Sequence, residues 1–360
     1  MTVQSTSPVL IMAGGTGGHV FPALAVADAL CARGVPVVWL GTDRGLEARV
    51  VPEAGLTLET LQIKGLRRNG LRGWLMAPLQ VLRATIRAMA VVRRHRPRAA
   101  LGMGGYVTGP GGVAAYLLRC PLLVHEQNAV AGLTNRLLSR IARRVMAGFP
   151  GAFPESRAQV TGNPVRGAIL RLPPTDQRPR SDGRWHLLVL GGSLGAQVLN
   201  ETLPDSLALV PEDLRPSVRH QAGRQTETIA REGYERTGVV ADVTEFVDDM
   251  AAAYEWADLV VCRAGALTVS EISIAGVAAV FVPLPHAVDD HQTANARHLV
   301  DRGAAELLPQ SELTAERLAE LLQGFAAAPS RLLEMGEAAR SLARPDAAEV
   351  VAEQCLEVAR

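Results

Sequence analysis

Two glycine-rich turns stand 177 residues apart in this 360-residue chain, each set between a short apolar run and a helical pattern. The first is Gly14-Gly15-Thr16-Gly17-Gly18-His19, preceded by the apolar residues 9–13 and followed by a helical pattern over 21–33. The second is Gly191-Gly192-Ser193-Leu194-Gly195, preceded by 187–190. Gly14 aligns with Gly191, Gly15 with Gly192, Thr16 with Ser193 and Gly18 with Gly195. Short apolar runs that break at glycine read as buried strands, and their alternation with helices makes the sheets parallel. Similar runs at 35–40, 99–102, 122–125, 145–147, 259–262 and 277–282 predict an α/β fold of two doubly wound, Rossmann-like domains. Ligands bind such sheets at the carboxyl ends of the strands, so the two domains are expected to face each other across a cleft. Residues 172–183, rich in Pro, Arg and Asp, form the expected connection. The domains are drawn as 1–165, with 341–360 returning to it, and 166–340.

Hydrophobic residues make up 48% of the chain against 20% charged, which excludes intrinsic disorder. The four cysteines, Cys31, Cys120, Cys262 and Cys355, are scattered without ligand spacing and read as buried thiols of a reducing compartment. The N-terminus lacks the basic segment of a secretory leader. Residues 99–118 are uncharged over a membrane-spanning length, but Gly102, Gly104, Gly105, Gly109, Pro110, Gly111 and Gly112 fall inside, so strand, loop and helix are expected there. Charge is strongly divided. Residues 1–180 carry 23 Lys/Arg against 8 Asp/Glu, a net of +15, and 181–360 carry 14 against 28, a net of −14. Between Glu59 and Glu126 there are 11 Lys/Arg and no acid, among them Lys64, Arg67, Arg68, Arg72, Arg83 and Arg87. They surround the apolar segment from Trp74 to Leu82, with Leu75 and Leu79 in it. An apolar patch ringed by arginine suits an anionic membrane surface, engaged through residues 64–98. Trp74 is the only aromatic in that segment, too few for base stacking, so nucleic acid is not expected as a partner. The bland alternative is an amphipathic helix with a solvated Arg face.

A glycine turn ahead of a helix frees backbone N–H groups for a phosphate. Neither turn is a dinucleotide fingerprint: counted from Gly15 and Gly17, the third glycine position holds Val20, although Asp43 stands where a ribose ligand would. Neither is followed by the Gly-Lys-Ser/Thr of a P-loop. A third strand–turn–helix runs through Cys262-Arg263-Ala264-Gly265-Ala266-Leu267-Thr268-Val269-Ser270-Glu271. Thr268 and Glu271 have capping-box spacing, so Glu271 reads either as a helix cap or as a carboxylate for vicinal ribose hydroxyls. His286, Asp289, Asp290 and His291 lie in a loop whose spacing fixes no metal geometry, and no metal is expected. His19, Tyr106, His125, Glu126 and Asn128 gather at one strand edge of the first domain, which favours an acid/base site there.

Six segments in order carry a resemblance over the whole chain: Gly14-Gly15-Thr16-Gly17-Gly18-His19, Gly102-Met103-Gly104-Gly105-Tyr106, His125-Glu126-Gln127-Asn128, Gly162-Asn163-Pro164-Val165-Arg166, Gly191-Gly192-Ser193 and Cys262-Arg263 with residues 265–271. The chain resembles the MurG family, two-domain GT-B glycosyltransferases of peptidoglycan synthesis. The resemblance implies inverting transfer of N-acetylglucosamine from UDP-N-acetylglucosamine to the muramyl 4-hydroxyl of lipid I, giving lipid II. It implies no cofactor, and a peripheral protein on the cytoplasmic face of the bacterial inner membrane. By motif position, Arg166 and Val247 flank the uracil, and Glu271 takes the ribose hydroxyls. Ser193, Ala266, Leu267 and Thr268 meet the diphosphate, with Val269 and Ser270 in the same motif. Gln292 and Asn128 hold the sugar, and Thr16, Gly17 and Gly18 close from the other domain. Two departures stand out: Leu194 replaces the family's usual Gln, and the loop before Gln292 is about one residue longer. Inversion needs a base, for which His19 is the first choice, because imidazole exchanges protons near neutral pH, and Glu126 the second. A UDP-N-acetylglucosamine 2-epimerase, a nicotinamide oxidoreductase and a lipid-binding module are the rival classes.

Overall fold

The computed structural model describes residues 7–62, 70–178, 184–192, 195–285 and 290–359, with 70–77 as backbone. The chain packs as two compact lobes, one of residues 1–166 with 344–360 and the other of 167–343.

The N-terminal lobe runs β1 (Val9–Met12), α1 (Gly17–Ala32), β2 (Val37–Gly41), α2 (Glu47–Glu53), β3 (Thr57–Thr60), α3 (Gly70–His95), β4 (Ala99–Gly102), α4 (Thr108–Leu117), β5 (Leu122–Glu126), α5 (Leu133–Leu138), β6 (Arg144–Ala147) and β7 (Gln159–Val160). Its seven strands are all parallel, in the order β3-β2-β1-β4-β5-β6-β7. The C-terminal lobe runs α6 (Gly167–Leu170), β8 (His186–Leu190), α7 (Gln197–Leu209), β9 (Ser217–Gln221), α8 (Glu227–Thr237), β10 (Asp242–Thr244), α9 (Met250–Trp256), β11 (Leu259–Cys262), α10 (Ala266–Ala275), β12 (Ala278–Phe281), α11 (His291–Val300), β13 (Ala305–Leu307), α12 (Ala315–Ala327) and α13 (Pro329–Ser341). Its six parallel strands follow the order β10-β9-β8-β11-β12-β13. Numbered within each lobe, both sheets share the order 3-2-1-4-5-6, to which the N-terminal sheet adds a seventh strand at its edge; this is the doubly wound order whose direction reverses beside the first strand.

Central strands explain the unbroken apolar runs. All four residues of β1, β4, β11 and β12 are buried, since helices cover both faces of a parallel sheet. The last helix, α14 (Ala347–Glu357), belongs to the N-terminal lobe. It packs on α1, buries Val351, Ala352 and Cys355 in the core behind β1, and pairs Glu349 with Arg33. Three cysteines are buried as expected, and burial pushes the Cys120 and Cys355 thiols up to about 12; Cys31 instead lies exposed.

Candidate active site

Loops at the carboxyl ends of β1, β2, β4 and β5 converge in the N-terminal lobe. The helix α1 opens at Gly17, four residues ahead of the expected start, so Gly17, Gly18 and His19 form its first turn and Thr16 is its N-cap. Beneath the turn Gly14-Gly15 lies Glu47, fully buried at the start of α2. Its carboxylate accepts the N–H of Gly15 at 2.9 Å, the N–H of Thr42 at 2.9 Å and the hydroxyl of Thr42 at 2.7 Å. The loop after β4 closes over this turn. Gly104 and Gly105 have φ of +104° and +86°, and a Cβ on Gly104 would come within 2.5 Å of His19 Nδ1. A Cβ on Gly105 would collide with the backbone of Gly14, so only glycine lets the two loops meet.

The His125-Glu126-Gln127-Asn128 segment ends β5 with its first three side chains buried. Glu126 is saturated: Oε1 accepts from the N–H and the Nδ2 of Asn128 at 3.0 and 3.1 Å, and Oε2 from Gly132 N–H and Asn135 Nδ2 at 3.1 and 2.8 Å. Four donors hold this carboxylate as the organiser of loop 127–132. His125 is wholly in the core, its Nε2 3.0 Å from Gly162 O, and burial pushes its imidazole down to about 4. The His19 ring is half-buried with Nδ1 3.0 Å from Gln127 Oε1. Arg166 lies over the ring of Phe21, 5.1 Å from its centroid, and Tyr106 is exposed.

In the C-terminal lobe the second glycine turn is braced by Gln221, at the end of β9. Its Oε1 accepts Gly192 N–H at 2.9 Å, and its Nε2 donates to Gly192 O at 3.0 Å and Glu245 O at 2.8 Å. Ser193 and Leu194 lie outside the described residues. The helix α10 starts at Ala266 with Gly265 as N-cap and no side chain capping it, so the N–H groups of Ala266, Leu267 and Thr268 are directed along the axis toward any anion at that end. Glu271 sits one and a half turns further on, 4% exposed, and accepts the Tyr254 hydroxyl at 3.1 Å. Thr268 is therefore the third helical residue, not the N-cap, and the capping box cannot form. Ser270 turns back to Ala266 O at 3.0 Å and Val269 is buried. Arg263 donates to Val282 O and Pro283 O, and Asn295 to Ala264 O, tying the loops after β11 and β12 to α11. In the first turn of α11, Gln292 Oε1 accepts Leu284 N–H at 2.9 Å. Val247 is half-buried in the loop between β10 and α9, and His286 and Asp289 lie outside the described residues.

Residues 9–147 match the glycosyltransferase family 28 N-terminal domain, and residues 186–351 match the glycosyltransferase family 28 C-terminal domain. The chain belongs to glycosyltransferase family 28. Within the family it is 63% identical, over 99% of its length and 100% of the relative's, to the UDP-N-acetylglucosamine–N-acetylmuramyl-(pentapeptide) pyrophosphoryl-undecaprenol N-acetylglucosamine transferase of Alkalilimnicola ehrlichii. The crystal structure of Acinetobacter baumannii MurG superposes with a TM-score of 0.83 at 44% identity, covering 98% of this chain and 99% of that one. A UDP-GlcNAc 2-epimerase from Neisseria meningitidis shares the fold, with a TM-score of 0.69 at 13% identity over 97% of this chain and 99% of that one. At that identity the likeness extends to the fold alone.

Three details of the structure go beyond the reading of the sequence. The glycine turns do not leave all their N–H groups free, because Gly15 and Gly192 are already bonded to side chains. The carboxylate of Glu126 accepts from four donors. Asp43 is exposed beyond the end of β2, and the carboxylate that matters there is Glu47. Glu47, Gln127, Gln221 and Tyr254 escaped notice in the sequence. For Glu47 a signal existed, since Gly14, Gly41 and Gly45 each leave the room its side chain fills.

Proposed function

We propose that this glycosyltransferase moves N-acetylglucosamine from UDP-N-acetylglucosamine to the muramyl 4-hydroxyl of lipid I with inversion, giving lipid II for peptidoglycan synthesis. The observation that carries the reading is the 63% identity along the whole chain to a transferase named for that donor and acceptor. The C-terminal lobe takes the donor. The start of α10 is assigned to the diphosphate, Ser193 by its motif position alone, and the charge that builds on the departing UDP is stabilised by helix N–H groups. Glu271 accepts from the ribose hydroxyls, Val247 and Arg166 contact the uracil, and Gln292 and Asn128 hold the sugar. Thr16, Gly17 and Gly18, in the turn that carries His19, are assigned to the transferred group by their motif position.

In the reaction the acceptor oxygen attacks the anomeric carbon, the bond to the UDP oxygen breaks, and the acceptor proton passes to a base. His19 is assigned that role over Glu126, whose lone pairs are engaged. It stands in the first turn of α1 with its ring half-buried and Nδ1 3.0 Å from Gln127 Oε1.

The N-terminal lobe docks on anionic lipid at the cytoplasmic face of the inner membrane. Among the described residues, no helix is long and apolar enough to cross a bilayer. On α3, Leu79, Leu82 and Ile86 are exposed beside Arg83 and Arg87, and α4, which packs on α3, exposes Val113, Tyr116 and Leu117. Lys64, Arg67 and Arg68 lie outside the described residues, as do the side chains of Arg72, Trp74 and Leu75. Incubating the protein with sugar-labelled UDP-N-acetylglucosamine and lipid I tests the activity: a lipid-linked disaccharide is expected, and label released only as free sugar or epimer would overturn the reading.

A further inference from the structure

A chain of polar groups runs from the core of the N-terminal lobe to the first turn of α1, and a single placement of protons satisfies all of it. The carbonyl oxygen of Gly162 can only accept, so His125 carries a proton on Nε2, 3.0 Å away. His125 is fully buried and burial keeps its imidazole neutral well below pH 7, which leaves Nδ1 as a bare acceptor. Gln127 Nε2 lies 3.2 Å from that Nδ1 and 3.3 Å from the His125 carbonyl oxygen, two acceptors that only the NH₂ end of the carboxamide can satisfy. The opposite end, Oε1, therefore points at His19 Nδ1, 3.0 Å away, and requires the proton to be on that nitrogen. In the neutral ring the lone pair is then on His19 Nε2.

We infer that Gln127, itself oriented by His125, is a positioning residue that fixes His19 as the Nδ1–H tautomer and so presents a bare Nε2 to the acceptor hydroxyl. The inference rests on the reading of His19 as the base. Its parts are rigid: the Gln127 side chain is 1% exposed, its backbone carbonyl accepts Asn163 Nδ2 at 3.0 Å, and Gly104 admits the His19 ring where a Cβ could not fit. Serine hydrolases set the same tautomer with a carboxylate, which also stabilises the imidazolium that forms. A neutral amide orients the ring without drawing a proton onto it in the resting enzyme.

Nitrogen NMR of the full chain labelled with ¹⁵N-histidine reads the tautomer directly. The His19 signals, identified by their loss in His19→Ala, should show a protonated Nδ1 and a bare Nε2 near neutral pH. In Gln127→Met the proton should move mainly to Nε2, with kcat down by about 10- to 100-fold and both KM values within about 2-fold, since a general base contributes roughly 10²–10⁴-fold. A wild-type ring protonated on Nε2 overturns the inference without any variant, as does an unchanged tautomer in Gln127→Met. If the tautomer moves in Gln127→Met while His19→Ala keeps near-normal kcat, the base assignment itself has failed, and the catalytic role of Gln127 falls with it.

Discussion

The buried carboxylate of Glu47 accepts the N–H of Gly15, 2.9 Å away, in the turn that opens the N-terminal lobe. At the aligned position of the other lobe, the N–H of Gly192 is accepted at 2.9 Å by the side-chain amide of Gln221. The two turns thus share a backbone device and differ in its charge. An anion approaching the first turn meets the field of a carboxylate screened little by solvent, whereas one approaching the second meets a neutral amide. This division gives a local reason for a diphosphate to favour the C-terminal lobe, whose overall net charge is unfavourable to it.

Exchanging the two groups tests the argument. Glu47→Gln must turn an NH₂ toward at least one of the donors on Gly15 and Thr42, leaving it unpaired, at a cost of about 1–3 kcal/mol. Thermal unfolding should record this as a fall of several degrees. Gln221→Glu should raise donor KM by about 10-fold, or ~1.4 kcal/mol, with a smaller effect on acceptor KM. Equal donor KM in Gln221→Glu and wild type would remove charge from the account.

His19→Ala should lower kcat by roughly 10²–10⁴-fold with little effect on UDP affinity, because a general base acts in the transition state alone. Gly104→Ala should imitate the kinetic loss in part, since the new Cβ would stand 2.5 Å from His19 Nδ1. A near-normal kcat in His19→Ala would make the histidine a loop-shaping residue.

The strands were legible because central parallel strands are apolar and reach a glycine at their end or within three residues of it, as in β1, β4 and β11. The start of α1 was not. Glycine has low helix propensity, yet Gly17 and Gly18 are helical here, carried by the packing of Val20, Ala23 and Val26 against the sheet. Glu126 is a base candidate by its place with His19 and Asn128 at one strand edge; that its lone pairs are taken depends on how the loop through residues 128, 132 and 135 folds back on it, which the sequence pattern does not show. Glu47 reads as a surface residue of an ordinary short helix, and only the three glycines around it make it buried.

Glu271→Ala should chiefly raise donor KM, with modest change in kcat, because a ribose contact acts in the ground state and the transition state alike. It also leaves the buried Tyr254 hydroxyl without that acceptor, 3.1 Å away in the wild type. Tyr254→Phe separates the two effects: it should shift stability by about 1 kcal/mol while leaving donor KM within a few-fold. A cost for Glu271→Ala that lies almost wholly in kcat would contradict the ribose reading.

The combined variant Leu82→Ser, Ile86→Ser, Leu117→Ser changes three exposed side chains, 56–58% accessible, on α3 and α4. Each apolar side chain removed from a lipid boundary weakens binding, so the variant should leave anionic vesicles at moderate salt while still turning over a soluble short-chain acceptor. Arg83→Glu with Arg87→Glu should act alike and make the residual binding less sensitive to salt, as each cation near the surface contributes about 1 kcal/mol. Full vesicle binding by both variants would place the membrane surface elsewhere.

The buried histidines His125, in the N-terminal lobe, and His220, in the C-terminal lobe, couple stability to pH. Burial pushes His125 from 6.5 down to about 4 and His220 from 6.5 down to about 3. His220 is enclosed by Tyr234, whose hydroxyl lies 3.0 Å from Nδ1, and by Asn200, whose Oδ1 lies 2.9 Å from Nε2. Both histidines stay neutral in the folded protein at pH values where the unfolded chain takes up a proton. Their contribution is therefore complete above about pH 6.5 and declines as pH falls toward 4, by about 1.4 kcal/mol per pH unit for each lobe. Denaturant midpoints measured from pH 7 to pH 4.5 should drop steadily, and His220→Gln should flatten the dependence of the C-terminal lobe alone, because the replacement can accept from Tyr234 and donate to Asn200 without titrating. A midpoint that holds constant down to pH 4.5 would mean that these rings reach solvent before the lobes unfold.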